Sequence, residues 1–328
     1  MQQEEVIIVG SGPCGMSAAI ELQNEGFEPL IIEKGNIVHS IYQYPTHQTF
    51  FSSSDKLEIG DVAFVTEKPK PVRNQALSYY RTVAERQDLR INNFEEVVHI
   101  EKRNNNFYID SVSQKTKEKK QYLAKFVVIA TGYYGQPNYL GIKGENLNKV
   151  YHYFHEAHPY FKQDVVVIGG KNSAVDATLE LYRAGANVTV LYRGSEYSAS
   201  IKPWILPEFD SLVRKRKVDM IFEANILEIK EKEVVYEVNN EQKTIHNDFV
   251  FAMTGYQPNQ GFLKDVGIKI DEETGRPHFS NETMETNVEN VYIAGVIAAG
   301  YDNNEIFIEN GRFHGGAIAK SIASKKRQ

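Results

Sequence analysis

The sequence holds a single cysteine, Cys14, among 328 residues, and one thiol makes neither an internal disulfide nor a Cys-x-x-Cys pair. Structural disulfides and cysteine-rich zinc sites are excluded on that count. Long apolar runs are missing as well. Nothing approaches the ~18 residues of a membrane-crossing helix, and Met1-Gln2-Gln3-Glu4-Glu5 has neither the basic start nor the apolar stretch of a secretion signal. No membrane partner is expected, and the expected location is the cytoplasm. Positive charge is short too, with 37 Lys and Arg against 43 Asp and Glu and a formal charge of −6, which leaves no footprint for nucleic-acid phosphates. The dense basic run Arg214-Lys215-Arg216-Lys217 reads as a solvated helix face.

The rest of the composition is ordinary. Hydrophobic residues make up 41% and charged residues 24%, near the averages of folded soluble proteins. At ~100 to 200 residues per domain, the length predicts about two compact units.

Val6-Ile7-Ile8-Val9 is a β-branched run that ends in Gly10-Ser11-Gly12-Pro13-Cys14-Gly15 and leads into the helix-like Met16 to Leu22. Gly26 stops that helix, Pro29-Leu30-Ile31-Ile32 predicts a second buried strand, and Glu33 stands at its end. Strand, glycine turn, helix, strand and acid in this register form a dinucleotide fingerprint. The glycines permit a tight turn and let backbone N–H groups reach a pyrophosphate at the positive end of a helix, while Glu33 would accept from ribose hydroxyls. The plain alternative is a glycine-rich βα turn with no ligand.

The pattern returns in Val165-Val166-Val167-Ile168, Gly169-Gly170-Lys171-Asn172-Ser173-Ala174, a helix from Val175 to Tyr182 and the strand Val188-Thr189-Val190-Leu191. This unit ends in Tyr192-Arg193 rather than an acid. An arginine there suits the 2′-phosphate of NADPH over NADH, unless it is simply an exposed strand-end arginine. Lys171 replaces the second glycine, so its side chain either turns away from the phosphate or contacts it.

After each unit come short strands with polar turns. They are Val97–Glu101, Phe107–Asp110 and Gln121–Ala124 in the first half, and Ile226–Ile229, Val234–Val238 and Lys243–Ile245 in the second, which predicts two β-meanders. Each leads to a further strand, Phe126 to Gly132 with Thr131 in it and Phe249 to Gly255, so the chain carries a divergent internal duplication.

Together these residues resemble the two-dinucleotide-binding-domain flavoproteins, in their thioredoxin-reductase-like and flavin-monooxygenase-like branches, over essentially the whole chain. The resemblance implies an α/β fold of two Rossmann-like, three-layer ββα domains: an FAD-binding domain at 1–135 and 257–328, with an NADPH-binding domain inserted at 136–256. It places FAD against Gly10, Gly12, Pro13, Cys14, Gly15, Glu33, Lys34, His47, Gln48, Thr49, Val97, Thr131, Gly132, Gly295, Val296, Gly311 and Arg312. NADPH goes against Gly169, Gly170, Lys171, Asn172, Ser173, Ala174 and Arg193. Val296 stands where the family has an aspartate for the flavin ribityl chain. The last helix, through Ile322, either offers its dipole to reduced flavin or is a plain surface helix.

The thioredoxin-reductase dithiol is missing. Where it would fall the sequence reads Tyr151-His152-Tyr153-Phe154-His155. The histidines His152, His155 and His158, with Glu156 between, read as an aromatic-rich connector rather than a metal site, because no fourth ligand is identifiable. Gly-Ser-Gly-Pro-Cys-Gly, the stretch Pro45 to Ser54 and Gly-Gly-Lys-Asn-Ser-Ala are most similar to the bacillithiol disulfide reductases. That likeness implies an NADPH-dependent FAD enzyme, expected as a homo-oligomer, that reduces a small disulfide. In it, Cys14 is either the thiolate that forms a mixed disulfide, favoured by the helix N-terminus, or a small residue packed beside FAD. Ferredoxin or flavodoxin reduction, monooxygenation and redox sensing remain as other readings. His47, Thr49, Tyr133 and Tyr134 are the places to look for substrate contacts.

Overall fold

The computed structural model describes residues 1–302 and 304–327; Gln328, the expected last residue of the FAD domain, lies outside them. The chain separates into two compact units, one of residues 1–42, 47–136 and 257–328, the other of residues 43–46 and 137–256.

In the first unit, β1 (Gln2–Val9), α1 (Pro13–Asn24), β2 (Leu30–Glu33), α2 (His39–Tyr42), α3 (Arg73–Arg86), β3 (Arg90–Asn93), β4 (Glu95–Arg103), β5 (Asn106–Ser113) and β6 (Lys119–Ile129) follow in order. Val6, Ile7 and Ile8 are wholly buried, as a β-branched run covered on both faces of a parallel sheet should be, and each such side chain contributes about 1.5–3 kcal/mol of burial. α1 opens with Pro13 at its first turn, where the missing N–H costs nothing.

The second unit runs β7 (Val150–Tyr151), β8 (Asp164–Ile168), α4 (Asn172–Arg183), β9 (Asn187–Leu191), α5 (Leu206–Arg214), β10 (Asp219–Ile221), β11 (Asn225–Ile229), β12 (Glu233–Val238), β13 (Glu241–His246) and β14 (Phe249–Ala252). The chain then re-enters the first unit with α6 (Gln260–Asp265), β15 (Val291–Ile293), α7 (Ile308–Gly311) and α8 (His314–Lys326).

The duplication is visible in the sheets. β3-β2-β1-β6-β15 is a parallel set, and β10-β9-β8-β14-β7 repeats its order. The fifth strand comes last in the first unit and first in the second. β4, β5 and β6 form one antiparallel meander, β11, β12 and β13 the other.

One expected strand break is absent. Gln121–Ala124 and Phe126–Gly132, read from sequence as two strands, fall on one strand, β6, which ends at Ile129, short of Thr131 and Gly132. Ala124 and Phe126 are buried while Lys125 between them is exposed, so the alternation of a half-buried strand continues through the lysine. β5 holds one edge of β6 over its first half and β15 takes the same edge at Val127–Ile129. In the second unit the break is real: buried Asn247 accepts from Lys149 and donates to the Ile245 carbonyl, and the Asp248 carboxylate accepts from Asp164 N.

Candidate functional site

The first glycine turn is shaped by close backbone packing. Gly10 has φ +105°, and a Cβ on it would lie 2.6 Å from the Ala130 carbonyl oxygen. A Cβ on Gly15 would lie 2.1 Å from the Gly10 carbonyl oxygen, and one on Gly315 would lie 2.8 Å from Ala18 Cα, so α1 is pressed between the turn and α8. Gly12 differs: it caps α1 in an extended conformation with no side-chain cap, and a Cβ there meets nothing within 4 Å. Protein packing does not require that glycine. A pyrophosphate laid along the backbone does, so the turn fits a dinucleotide.

Glu33 is buried, its Oε2 accepting from Ser11 N at 2.8 Å and Ser11 Oγ at 3.1 Å and its Oε1 from Gly35 N at 2.7 Å. A carboxylate takes about four hydrogen bonds, so capacity remains for ribose. In register with Glu33 at the end of β3 is Asn93, whose Oδ1 is buried with no hydrogen-bond partner. Sequence reading missed Asn93, because an asparagine at a strand end carries no signature of its own. Lys34 lies over the next crossing: a Cβ on Gly135 would come within 2.8 Å of its Nζ. Thr131 is exposed, Gly132 has φ +65°, and a Cβ on Gly132 would stand 4.0 Å from Val296 Cγ1. Val97 is buried in β4 opposite Ser111. Gln48 and Thr49 zip onto the start of α3, through Arg73 N to Gln48 O at 2.8 Å and a Thr49–Val72 bridge, with exposed His47 preceding them.

Cys14 departs from the thiolate expected at a helix start. Burial pushes its thiol up to about 12, outweighing the helix end. Its Sγ packs against two glycines, a Cβ on either Gly295 or Gly311 lying 3.0 Å from it, while the residue as a whole is half-buried. Beside it, Gly295 N donates to His314 Nδ1 at 3.1 Å, which places the ring proton of neutral His314 on Nε2, and burial holds that imidazole below its usual pKa. Arg312 is held in part by the protein itself. Its guanidinium donates to Asp55 O at 3.0 Å and Glu58 O at 2.5 Å and lies over the Phe313 ring, its Nε buried without a partner. It latches the 54–58 turn, which Ser52 and Glu309 also tie to α7.

In the second unit Gly169 repeats Gly10: φ is +140° and a Cβ would lie 2.4 Å from the Met253 carbonyl oxygen. Gly170 has another cause. A Cβ there would lie 2.4 Å from the Tyr192 ring, and one on Gly194 would lie 2.5 Å from the same ring, so the ring covers both glycines. Lys171 caps α4 in an extended conformation (φ −107°, ψ −172°), exposed and with no side-chain cap; nothing at that position demands glycine. Ser173 and Arg193 are exposed and Ala174 is buried. The uncapped first turn of α4 fits an anion.

Among the described residues no group of three His, Cys, Asp or Glu converges as a metal site, and no helix is long and apolar enough to cross a membrane. His152 instead lies with its Nε2 3.8 Å from Glu145, whose carboxylate accepts from Leu140 N and Gly141 N.

The chain matches the family described as pyridine nucleotide-disulphide oxidoreductase over residues 7–295. It is similar to the bacilliredoxin reductase Bdr of Bacillus subtilis (strain 168), 62% identical over 327 residues and 99% of each chain. Two solved structures of bacillithiol disulfide reductase Bdr are also similar. That from Bacillus cereus is 62% identical with TM-score 0.96, over 99% of this chain and 100% of the other. That from Staphylococcus aureus is 62% identical with TM-score 0.93, over the same shares. The chain is thus a flavoprotein disulfide oxidoreductase using FAD and NADPH, and it belongs to the pyridine nucleotide-disulphide oxidoreductase family.

Proposed function

We propose that the protein reduces a low-molecular-weight disulfide, bacillithiol disulfide, at the expense of NADPH. One observation carries this reading: both dinucleotide turns are built, yet the chain's one cysteine lies in the first of them. A dithiol relay to a protein substrate is excluded by that count, whereas a small disulfide needs at most one protein thiol. The relatives named for bacillithiol disulfide and bacilliredoxin supply the substrate class.

Gly10, Gly12, Pro13, Gly15, Glu33 and Asn93 would hold the FAD dinucleotide portion, with Lys34, His47 to Thr49, Val97, Thr131, Gly132, Gly295, Val296 and Gly311 around it. Gly169 to Ala174 and Arg193 would hold NADPH, in a nucleotide-binding domain taken as residues 136–256. Bound FAD would supply the two-electron link between NADPH and the disulfide. Arg312 would border the flavin while its Nη1 holds the 54–58 turn.

Cys14 is a thiol at rest, so its part in thiol–disulfide exchange begins with loss of its proton as the disulfide enters. Its S–H proton leaves with the first product thiol as the Cys14–S–S–R bond forms. Two electrons and two protons, one proton arriving with the electrons from NADPH and the other from solvent, then return Cys14 to the thiol and release the second. The sum is NADPH, one proton and one disulfide to NADP⁺ and two thiols. A reducing compartment such as the cytoplasm and a homo-oligomeric state complete the reading.

The test is anaerobic NADPH consumption with bacillithiol disulfide, glutathione disulfide and cystine, counting thiols. Two thiols per NADPH, selective for bacillithiol disulfide and lost in Cys14→Ala with flavin retained, is the expected result. Flavin bleached by NADPH without turnover of any disulfide would refute the assignment and point to ferredoxin, flavodoxin or oxygen as acceptor. Light scattering of the same preparation gives the oligomeric state.

A further inference from the structure

Residues 192–205 join β9 to α5, and the exposed part of this connection is fastened at both ends. At one end the Tyr192 ring covers Gly170 and Gly194, and the Gly194 carbonyl accepts from Glu223 N at 3.0 Å. At the other, Asn172, the first residue of α4, donates from Nδ2 to Ser200 O at 2.8 Å and accepts at Oδ1 from Lys202 N at 3.0 Å. Ile201 between these two is 4% exposed in the core of the unit, and Lys202 Nζ lies 3.9 Å from Asp176, one turn further along α4. Inside the loop, Tyr197 packs on Phe209 and Phe222, and Ser198 Oγ lies 2.8 Å from Ser200 Oγ. Arg193 and Ser195 stay exposed.

The cap position of α4 is Lys171, whose side chain makes no hydrogen bond to the helix's own N–H groups. Asn172, at the first helical position, uses both of its polar atoms on the loop. The Asn172 and Ser173 amides of the first turn face no side-chain cap and suit an anion, while Ala174 N donates to Lys171 O, and the same turn anchors the segment that follows Arg193. We propose that Asn172 is a positioning residue for dinucleotide specificity: by fastening residues 198–202 to α4 it holds the loop so that Arg193 reads the 2′-phosphate of NADPH. The proposal rests on residues 136–256 being the NADPH-binding unit.

The test uses FAD-loaded enzyme with Asn172→Ala, Asn172→Asp, Arg193→Ala and the double variant. Flavin reduction by NADPH and by NADH gives the selectivity ratio. Trp204, the one tryptophan and 66% exposed in the same connection, gives NADP⁺ and NAD⁺ binding by fluorescence without turnover. Asn172→Ala should lower the NADPH-to-NADH ratio about tenfold, the scale of one or two lost hydrogen bonds, with the effect on KM rather than kcat. Asn172→Asp should recover part of it, since a carboxylate still accepts from Lys202 N. The double variant should be no less selective than Arg193→Ala alone, because the asparagine acts through the arginine.

Equal weakening of both dinucleotides, or additive losses in the double variant, would overturn the proposal and leave Asn172 a structural residue. Wild-type enzyme whose flavin neither dinucleotide bleaches would instead overturn the NADPH reading itself, before any variant is compared.

Discussion

Cys14 is expected to be slow toward alkylation in the native protein, and the structure sets the scale. A thiol raised by burial to about 12 is ionised at pH 7 to about one part in 10⁵, against about 3% for a free cysteine. Because the thiolate is the reacting species, iodoacetamide should label native Cys14 about 10³-fold more slowly than the guanidinium-unfolded chain. The rate should climb about tenfold per pH unit without levelling below about pH 11. Closure by Gly295 and Gly311 slows labelling at every pH alike, so the slope separates ionisation from access. With one cysteine in the chain, the adduct read by mass spectrometry has a single origin. Native labelling within tenfold of the unfolded rate at pH 7, or a plateau near neutrality, would refute the reasoning and restore a resting thiolate. The same shift has a stability consequence. The folded state holds the Cys14 proton more tightly than the unfolded state, so this contribution is complete below about pH 9 and is lost as pH rises toward 12. Half-buried Tyr153 and Tyr160 and buried Tyr292, each raised to about 12 by desolvation, act in the same direction, and the difference between wild type and Cys14→Ala isolates the cysteine.

Other outcomes follow from the same geometry. Gly12→Ala should leave apo-protein melting unchanged, within about 0.5 kcal/mol, yet lower flavin content on purification. Gly10→Ala, with its positive φ and a Cβ 2.6 Å from a carbonyl oxygen, should destabilise the fold itself by more than about 1 kcal/mol; equal behaviour of the two variants would contradict this division. Arg312→Ala frees the Asp55 and Glu58 carbonyls and should cost about 2 kcal/mol in denaturant unfolding, with faster proteolysis in 50–60; an unchanged cleavage pattern would count against the latch. His314 is lowered by burial, so the unfolded state binds its proton more readily. Stability should therefore fall as pH drops below about 6.5, and melting of His314→Gln between pH 7.5 and 5 should show a shallower loss than wild type.

What could be read from the sequence was whatever local pattern dictates. The β-branched runs before Gly10 and Gly169, the helices behind them and the duplicated meanders follow from residue periodicity and turn chemistry, which act over a few residues. Cysteine count alone removed the dithiol route. The cause of individual residues was not legible, because it lies in partners far along the chain. Gly170 is glycine for the Tyr192 ring, while Gly12 is the one that packing leaves open. Arg312 reads in sequence only as a cofactor candidate, and its contacts with the Asp55 and Glu58 carbonyls appear only in the tertiary structure. Lys125 read as a strand break, although alternation carries β6 straight through it. The state of Cys14 shows the division most plainly. Its place at a helix start, set by sequence, favours thiolate; its burial against Gly295 and Gly311, residues some 280 and 300 positions away, favours thiol. Desolvation of a charge in a closed apolar contact exceeds the pull of a helix end, and only the tertiary structure brings that contact about.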